Sequence, residues 1–238
     1  MPDGWSDAGA GWVAMASRAY GAWRRGFNAV LFMVFVLPAT IPAFGLASGA
    51  AHAKQPLILA LGDSLTAGYG LELQDSFPAR LQAALHAAGI KARVVNAGVS
   101  GDTSAGALRR VDWLMTQKPD LVIVEFGGND GLRGLDPAET KRNLEAVIIR
   151  IRQRGARVLL AGMLAPPNLG RDYGAAFNAV FPQLAKRHKV VFYPFFLEGV
   201  VAKPALNLAD GIHPNAKGVL VIVERILPYV RRALGEAG

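Results

Sequence analysis

Runs of consecutive apolar residues alternate along the chain with segments whose apolar positions recur every three or four residues. The segments at 57–61, 92–95, 121–126, 158–160 and 190–193 read as short strands, with Arg93 in the second and Glu125 in the third the polar interruptions. Between them lie five helical patterns. Ser76 sits where an N-cap belongs, Pro78 falls in the first turn, and Phe77, Leu81, Ala84, Leu85 and Ala88 keep helical spacing up to Gly89. Further helices are predicted over 104–115, 136–154, 173–189 and 215–234, with Asp136-Pro137 opening the second of these and Gly155 ending it. Strands alternating with helices imply right-handed crossovers and a parallel sheet. The predicted fold is an α/β three-layer sandwich with a five-stranded parallel sheet in the flavodoxin-like order 2-1-3-4-5.

The amino-terminal part does not follow this pattern. Arg24-Arg25 precede an uncharged stretch over 26–51 whose most apolar portion is 29–37, followed by Pro38 and Pro42 and ending in Ala51-His52-Ala53. A short apolar core between a basic pair and a small-x-small triplet is the pattern of a secretory signal. Residues 1–53 are therefore expected to be a signal segment, with Met15 an alternative start, cleaved after Ala53 to release a periplasmic or secreted protein. An uncleaved membrane anchor is the alternative reading of the same stretch. Residues 54–238 then form one domain.

Composition narrows the chemistry. The 238 residues include no cysteine, which excludes disulfides, thiolate–metal sites and a cysteine nucleophile. Lys and Arg outnumber Asp and Glu by 26 to 18, a formal net charge of +8, but no long basic run occurs. The chain is therefore expected to tolerate contact with an anionic lipid surface and to have no nucleic-acid partner.

Small polar residues cluster where the strands should end, which is where open parallel sheets bind ligands. The clusters are Gly62-Asp63-Ser64, Ser100-Gly101-Asp102 and Gly127-Gly128-Asn129-Asp130, followed near the end of the chain by Asp210-Gly211-Ile212-His213-Pro214-Asn215. Each alone also reads as a turn or a helix start. Together they supply the parts for acyl transfer. Ser64 needs a base to accept its proton, His213 can serve near neutral pH, and Asp210 can orient the imidazole. The Ser64 and Gly101 amides and the Asn129 side chain are available donors for an oxyanion. One loop histidine among carboxylates is a poor metal set, so no metal is expected.

The four segments in this order resemble the SGNH hydrolase (GDSL esterase/lipase) superfamily. The match looks closer still to the bacterial periplasmic thioesterase I family, which also acts as lysophospholipase and arylesterase. It rests on Gly62-Asp63-Ser64-Leu65, Asn96-Ala97 with Ser100–Ser104, Gly127–Gly134 and Asp210–Asn215. The resemblance implies Ser64 as nucleophile, Ser64, Gly101 and Asn129 as oxyanion donors, and Asp210 and His213 as the rest of a triad. It also implies hydrolysis of acyl esters and thioesters without metal or organic cofactor. The Gly-x-Ser-x-Gly elbow of α/β-hydrolases is absent around Ser64.

Apolar residues in the loops near these motifs are suited to a fatty chain. Leu132 and Leu135 are expected to form a flap over it, with Pro166 nearby. The expected partner is a small acyl ester or thioester, handled by a monomer. Two other functions remain open on the sequence. One is an O-acetyl esterase acting on sugars or cell-wall polymers with the same triad; the other is a non-catalytic binding protein.

Overall fold

The computed structural model describes residues 55–235, so the signal-segment reading of 1–53 lies outside the described residues. Five strands, β1 (Leu57–Gly62), β2 (Arg93–Gly98), β3 (Leu121–Glu125), β4 (Arg157–Ala161) and β5 (Val191–Tyr193), form one parallel sheet in the order β2-β1-β3-β4-β5. This is the expected fold class and strand order.

The central strands are buried nearly throughout, as a parallel sheet covered on both faces requires. α2 (Phe77–Ala87) packs against α7 (Ala216–Leu234), while α5 (Pro137–Gln153) packs between α3 (Ser104–Leu114) and α6 (Arg171–His188), giving the two outer layers. Phe77 and Phe196 meet edge-on with ring centroids 5.0 Å apart, and both are fully buried. Burial of a side chain of this size contributes about 1.5–3 kcal/mol, and the two phenylalanines are part of one large buried apolar core.

Some helix starts are capped by the residue types expected there and others are not. Asp136 caps α5 by accepting the Ala138 N–H at 2.9 Å, and Asn215 caps α7 by accepting from Lys217 and Gly218. Ser76 precedes α2 as expected but gives it no side-chain cap: its hydroxyl donates to the Leu73 carbonyl instead, at 2.7 Å. Two further short helices, α1 (Ser64–Ala67) and α4 (Gly128–Leu132), begin immediately beyond β1 and β3, in segments whose glycines and polar residues suggest only turns.

α1 crosses the strand ends at very close range, and glycine makes that possible. Gly62 and Gly98 are paired neighbours in the sheet. A Cβ on Gly62 would lie 2.1 Å from Thr66 Oγ1, and one on Gly98 would lie 2.3 Å from the Ala67 nitrogen. This tight packing holds the first residue of α1, Ser64, at the carboxyl edge of the sheet.

Candidate active site

At that edge Ser64, His213 and Asp210 form a hydrogen-bonded series. Ser64 Oγ lies 2.9 Å from His213 Nε2, and His213 Nδ1 lies 2.6 Å from Asp210 Oδ2. An ionised carboxylate only accepts, so the arrangement selects one tautomer: Nδ1–H donates to Asp210 and Nε2 accepts the serine proton. Asp210 is fixed by its own loop, since its Oδ1 accepts the backbone N–H groups of Ile212 and His213 at 2.9 and 3.0 Å. Those two backbone bonds, with the imidazole bond after them, hold its carboxyl down at about 2. It therefore stays ionised across any ordinary assay range. The Tyr69 ring lies 4.5 Å from the imidazole between centroids and flanks it.

Asn129, on α4, reaches the same place from β3. Its amide donates one hydrogen to Asp63 Oδ2 at 3.1 Å, which leaves the second hydrogen free to face the site. Asp63 also caps α1 through the Leu65 N–H at 3.0 Å. One buried carboxylate thus fixes both the turn that carries Ser64 and the amide of Asn129. Gly101 lies in the turn after β2 with φ of +80°, a conformation that favours glycine, and its carbonyl accepts from Arg133 at 2.8 Å. The backbone N–H groups of Ser64 and Gly101 donate to no other group among the described residues.

Three groups behind these residues brace the site: half-buried Arg110 and the buried carboxyls of Asp130 and Glu125, none of whose contacts the sequence shows. Arg110 donates to Asp102 Oδ2 and to the carbonyls of Ala97 and Gly62 at 2.8, 2.6 and 2.8 Å, tying the ends of β1 and β2 to the turn that holds Gly101. Asp130 accepts from the Ser104 amide and hydroxyl and from Thr140, which joins α4 to α3 and α5. Glu125 accepts from the Thr66 hydroxyl at 2.8 Å, and burial beside Asp63 pushes its carboxyl well above the usual range.

Burial also raises Asp63, to about 6, against the opposing effect of its hydrogen bonds. The unfolded carboxyl releases its proton near 3.8. Between those two values the folded chain holds more protons, so this group makes stability fall as pH rises from about 4 to about 6. The urea midpoint of the wild type should therefore decline relative to Asp63→Asn over that interval. A relative gain would show the sign to be wrong.

A cleft of about 490 Å³ opens beside Ser64 and His213. Leu132, Met163, Leu164, Phe195, Val201 and Ile212 give it a mostly apolar wall, and Pro166 and Asn129 also line it. Leu132 and Pro166 both border this cleft. Leu135 does not line the cleft, which corrects the expected two-leucine flap. α4 ends at Leu132, and the chain then turns so that the Leu135 carbonyl accepts from Tyr173. Gly101 is also absent from the lining residues. Among the described residues no group of three or more histidine or acidic side chains has the arrangement to hold a metal.

Comparison with known proteins gives an independent line. Residues 60–220 match the GDSL-like lipase/acylhydrolase family. An arylesterase of Vibrio mimicus is 41% identical over 178 residues, covering 74% of this chain and 88% of the relative. The thioesterase 1/protease 1/lysophospholipase L1 of Escherichia coli K12 is 44% identical over 159 residues, 66% of this chain and 75% of the relative. The crystal structure of TesA superposes with a TM-score of 0.71 at 43% identity, over 74% of this chain and 99% of that one.

Proposed function

Given that the chain belongs to the GDSL-like lipase/acylhydrolase family and is a carboxylic ester hydrolase, we propose that Ser64, His213 and Asp210 are its triad. In this reading the enzyme cleaves fatty-acyl esters and thioesters, including aryl esters and lysophospholipids, through an acyl-serine intermediate. The observation that carries the reading is the Ser64–His213–Asp210 hydrogen-bonded series at the mouth of an apolar cleft.

The chemistry follows from the geometry. Ser64 Oγ attacks the acyl carbon as its proton passes to His213 Nε2, and Asp210 stabilises the resulting imidazolium. The oxyanion accepts from the Ser64 and Gly101 amides and from the free hydrogen of Asn129. Collapse of the tetrahedral intermediate breaks the bond to the alcohol or thiol, which takes the proton from His213. Water then attacks the acyl-serine, again losing its proton to His213, and the acid leaves. No metal or organic cofactor takes part in these steps. The enzyme acts as a monomer outside the cytoplasm after cleavage following Ala53, a reading that rests on Arg24-Arg25, the apolar stretch and Ala51-His52-Ala53.

The cleft wall makes the acyl preference testable. Phe195→Ala should lower kcat/KM for long-chain p-nitrophenyl esters about tenfold relative to the acetate ester, since it removes contacts that only a long chain makes. Leu135→Ala should leave that ratio unchanged, because Leu135 does not border the cleft. A wild type that hydrolyses the acetate ester alone would replace this reading with an O-acetyl esterase.

A further inference from the structure

The cleft lies at the carboxyl ends of the strands, and unpaired basic residues gather at the other end of the sheet. Three shallow depressions adjoin there. Arg152, Arg157, Lys189 and Arg232 border the first; Arg157 also borders the second, with Pro119 and Asp120. Pro119 and Asp120 continue into the third, beside Lys118 and Arg154. Among the described residues, the shared positions make one continuous strip with six cations and one carboxylate, Asp120, which accepts the Leu57 N–H at 2.8 Å.

None of the six cations forms an ion pair with a carboxylate among the described residues, whereas Arg80, Arg110, Arg150, Arg187 and Arg225 all do. Arg152 and Arg157 donate to the carbonyls of His188 and Ala233, and Arg232 lies over the Tyr229 ring. These contacts fix the side chains without cancelling their charge. Helix ends offset part of it. α5, α6, α7 and the helical turn before Lys118 all end on this face, each presenting about half a negative charge. With Asp120 included, a surplus of about three positive charges remains among the described residues.

The chain also enters the domain here. Pro56, immediately before β1, borders the second depression. No aromatic ring lines the strip, so nucleic-acid bases would have nothing to stack on.

We propose that this strip docks on the anionic headgroups of a phospholipid membrane, leaving the catalytic cleft at the far end of the sheet facing away from the bilayer. The proposal does not depend on the serine chemistry. Its electrostatic basis requires binding to weaken as salt is raised.

The test is vesicle flotation of residues 54–238; the TesA crystal structure, 99% of which this chain covers, is the same domain on its own. Vesicles of equal parts phosphatidylglycerol and phosphatidylcholine are compared with phosphatidylcholine alone. The variant Lys118→Glu/Arg154→Glu/Lys189→Glu should bind the anionic vesicles at least about tenfold less than wild type, given several-fold per basic residue near such a surface. Arg171→Glu/Lys203→Glu/Lys217→Glu makes the same charge change outside the strip, near the strands' carboxyl ends, and should bind within twofold of wild type. Unchanged turnover of a soluble ester will show that both variants are folded. Equal loss in both variants, or no wild-type preference for anionic vesicles, would overturn the proposal. So would a strip variant that loses binding to duplex DNA but keeps it for vesicles.

Discussion

Ser64→Ala lowers kcat for a p-nitrophenyl ester by a factor on the order of 10⁶, the loss found when the nucleophile of a serine triad is removed. The reason is chemical: alanine offers no atom to accept the acyl group, so only the oxyanion donors and the cleft are left to assist direct attack by water. Ser64 is half-buried at the start of α1, and its hydroxyl bonds only to His213 among the described residues. Its removal therefore leaves the core intact, and the melting temperature should stay close to that of the wild type. Progress curves on a chromogenic ester, with thermal unfolding measured alongside, check both parts. Activity within tenfold of wild type would exclude Ser64 as the nucleophile.

Asp210→Asn should cost about 10³–10⁴ in kcat near neutral pH. In the native arrangement His213 Nδ1–H donates to the carboxylate, so Nε2 is free to accept from Ser64. An asparagine amide that donates to Nδ1 instead leaves the proton on Nε2, where the base should be, and no carboxylate faces the imidazolium. The Asp210 side chain is 35% exposed, so water can replace part of its stabilising effect, which sets the lower end of that range. The backbone bonds from Ile212 and His213 can be accepted by an amide oxygen, so the loop should persist. The kcat of the two proteins on one ester, measured under single-turnover conditions, decides the matter. A rate within twofold of wild type would remove Asp210 from the triad.

The alternation of apolar runs and helical spacing makes the sheet legible in the sequence, and its order is that of the flavodoxin-like arrangement that five such strands fit. The Ser64, Gly101, Asn129 and Asp210–His213 segments are legible for a related reason. Each is a short polar cluster placed directly after a strand or before a helix, so local sequence carries the signal. Residues whose role comes from distant contacts are not legible in this way. Arg110 lies inside α3, 48 positions from the Gly62 carbonyl it binds, and reads as one exposed face of a helix. Glu125 reads as an interruption of an apolar strand. In the structure burial favours its protonated form, which removes the conflict with its surroundings. Tyr69 reaches His213 only through the folding of a loop.

Leu135 fails for a different reason. Apolar character places a residue near other apolar residues but does not say toward which cavity it turns, and the end of α4 three positions earlier redirects it. Ser76 likewise has the residue type of a cap, yet a closer acceptor, the Leu73 carbonyl, takes its hydroxyl.

The central claim is that Ser64 carries the acyl group, and covalent trapping tests it most directly. The protein is treated with an organophosphonate ester until hydrolysis stops, digested, and the modified peptide located by mass spectrometry. One phosphonyl group on the Ser64 hydroxyl, with no label taken up by Ser64→Ala, is the predicted result. Label on another residue that tracks the loss of activity, or full inactivation with Ser64 unmodified, would contradict it.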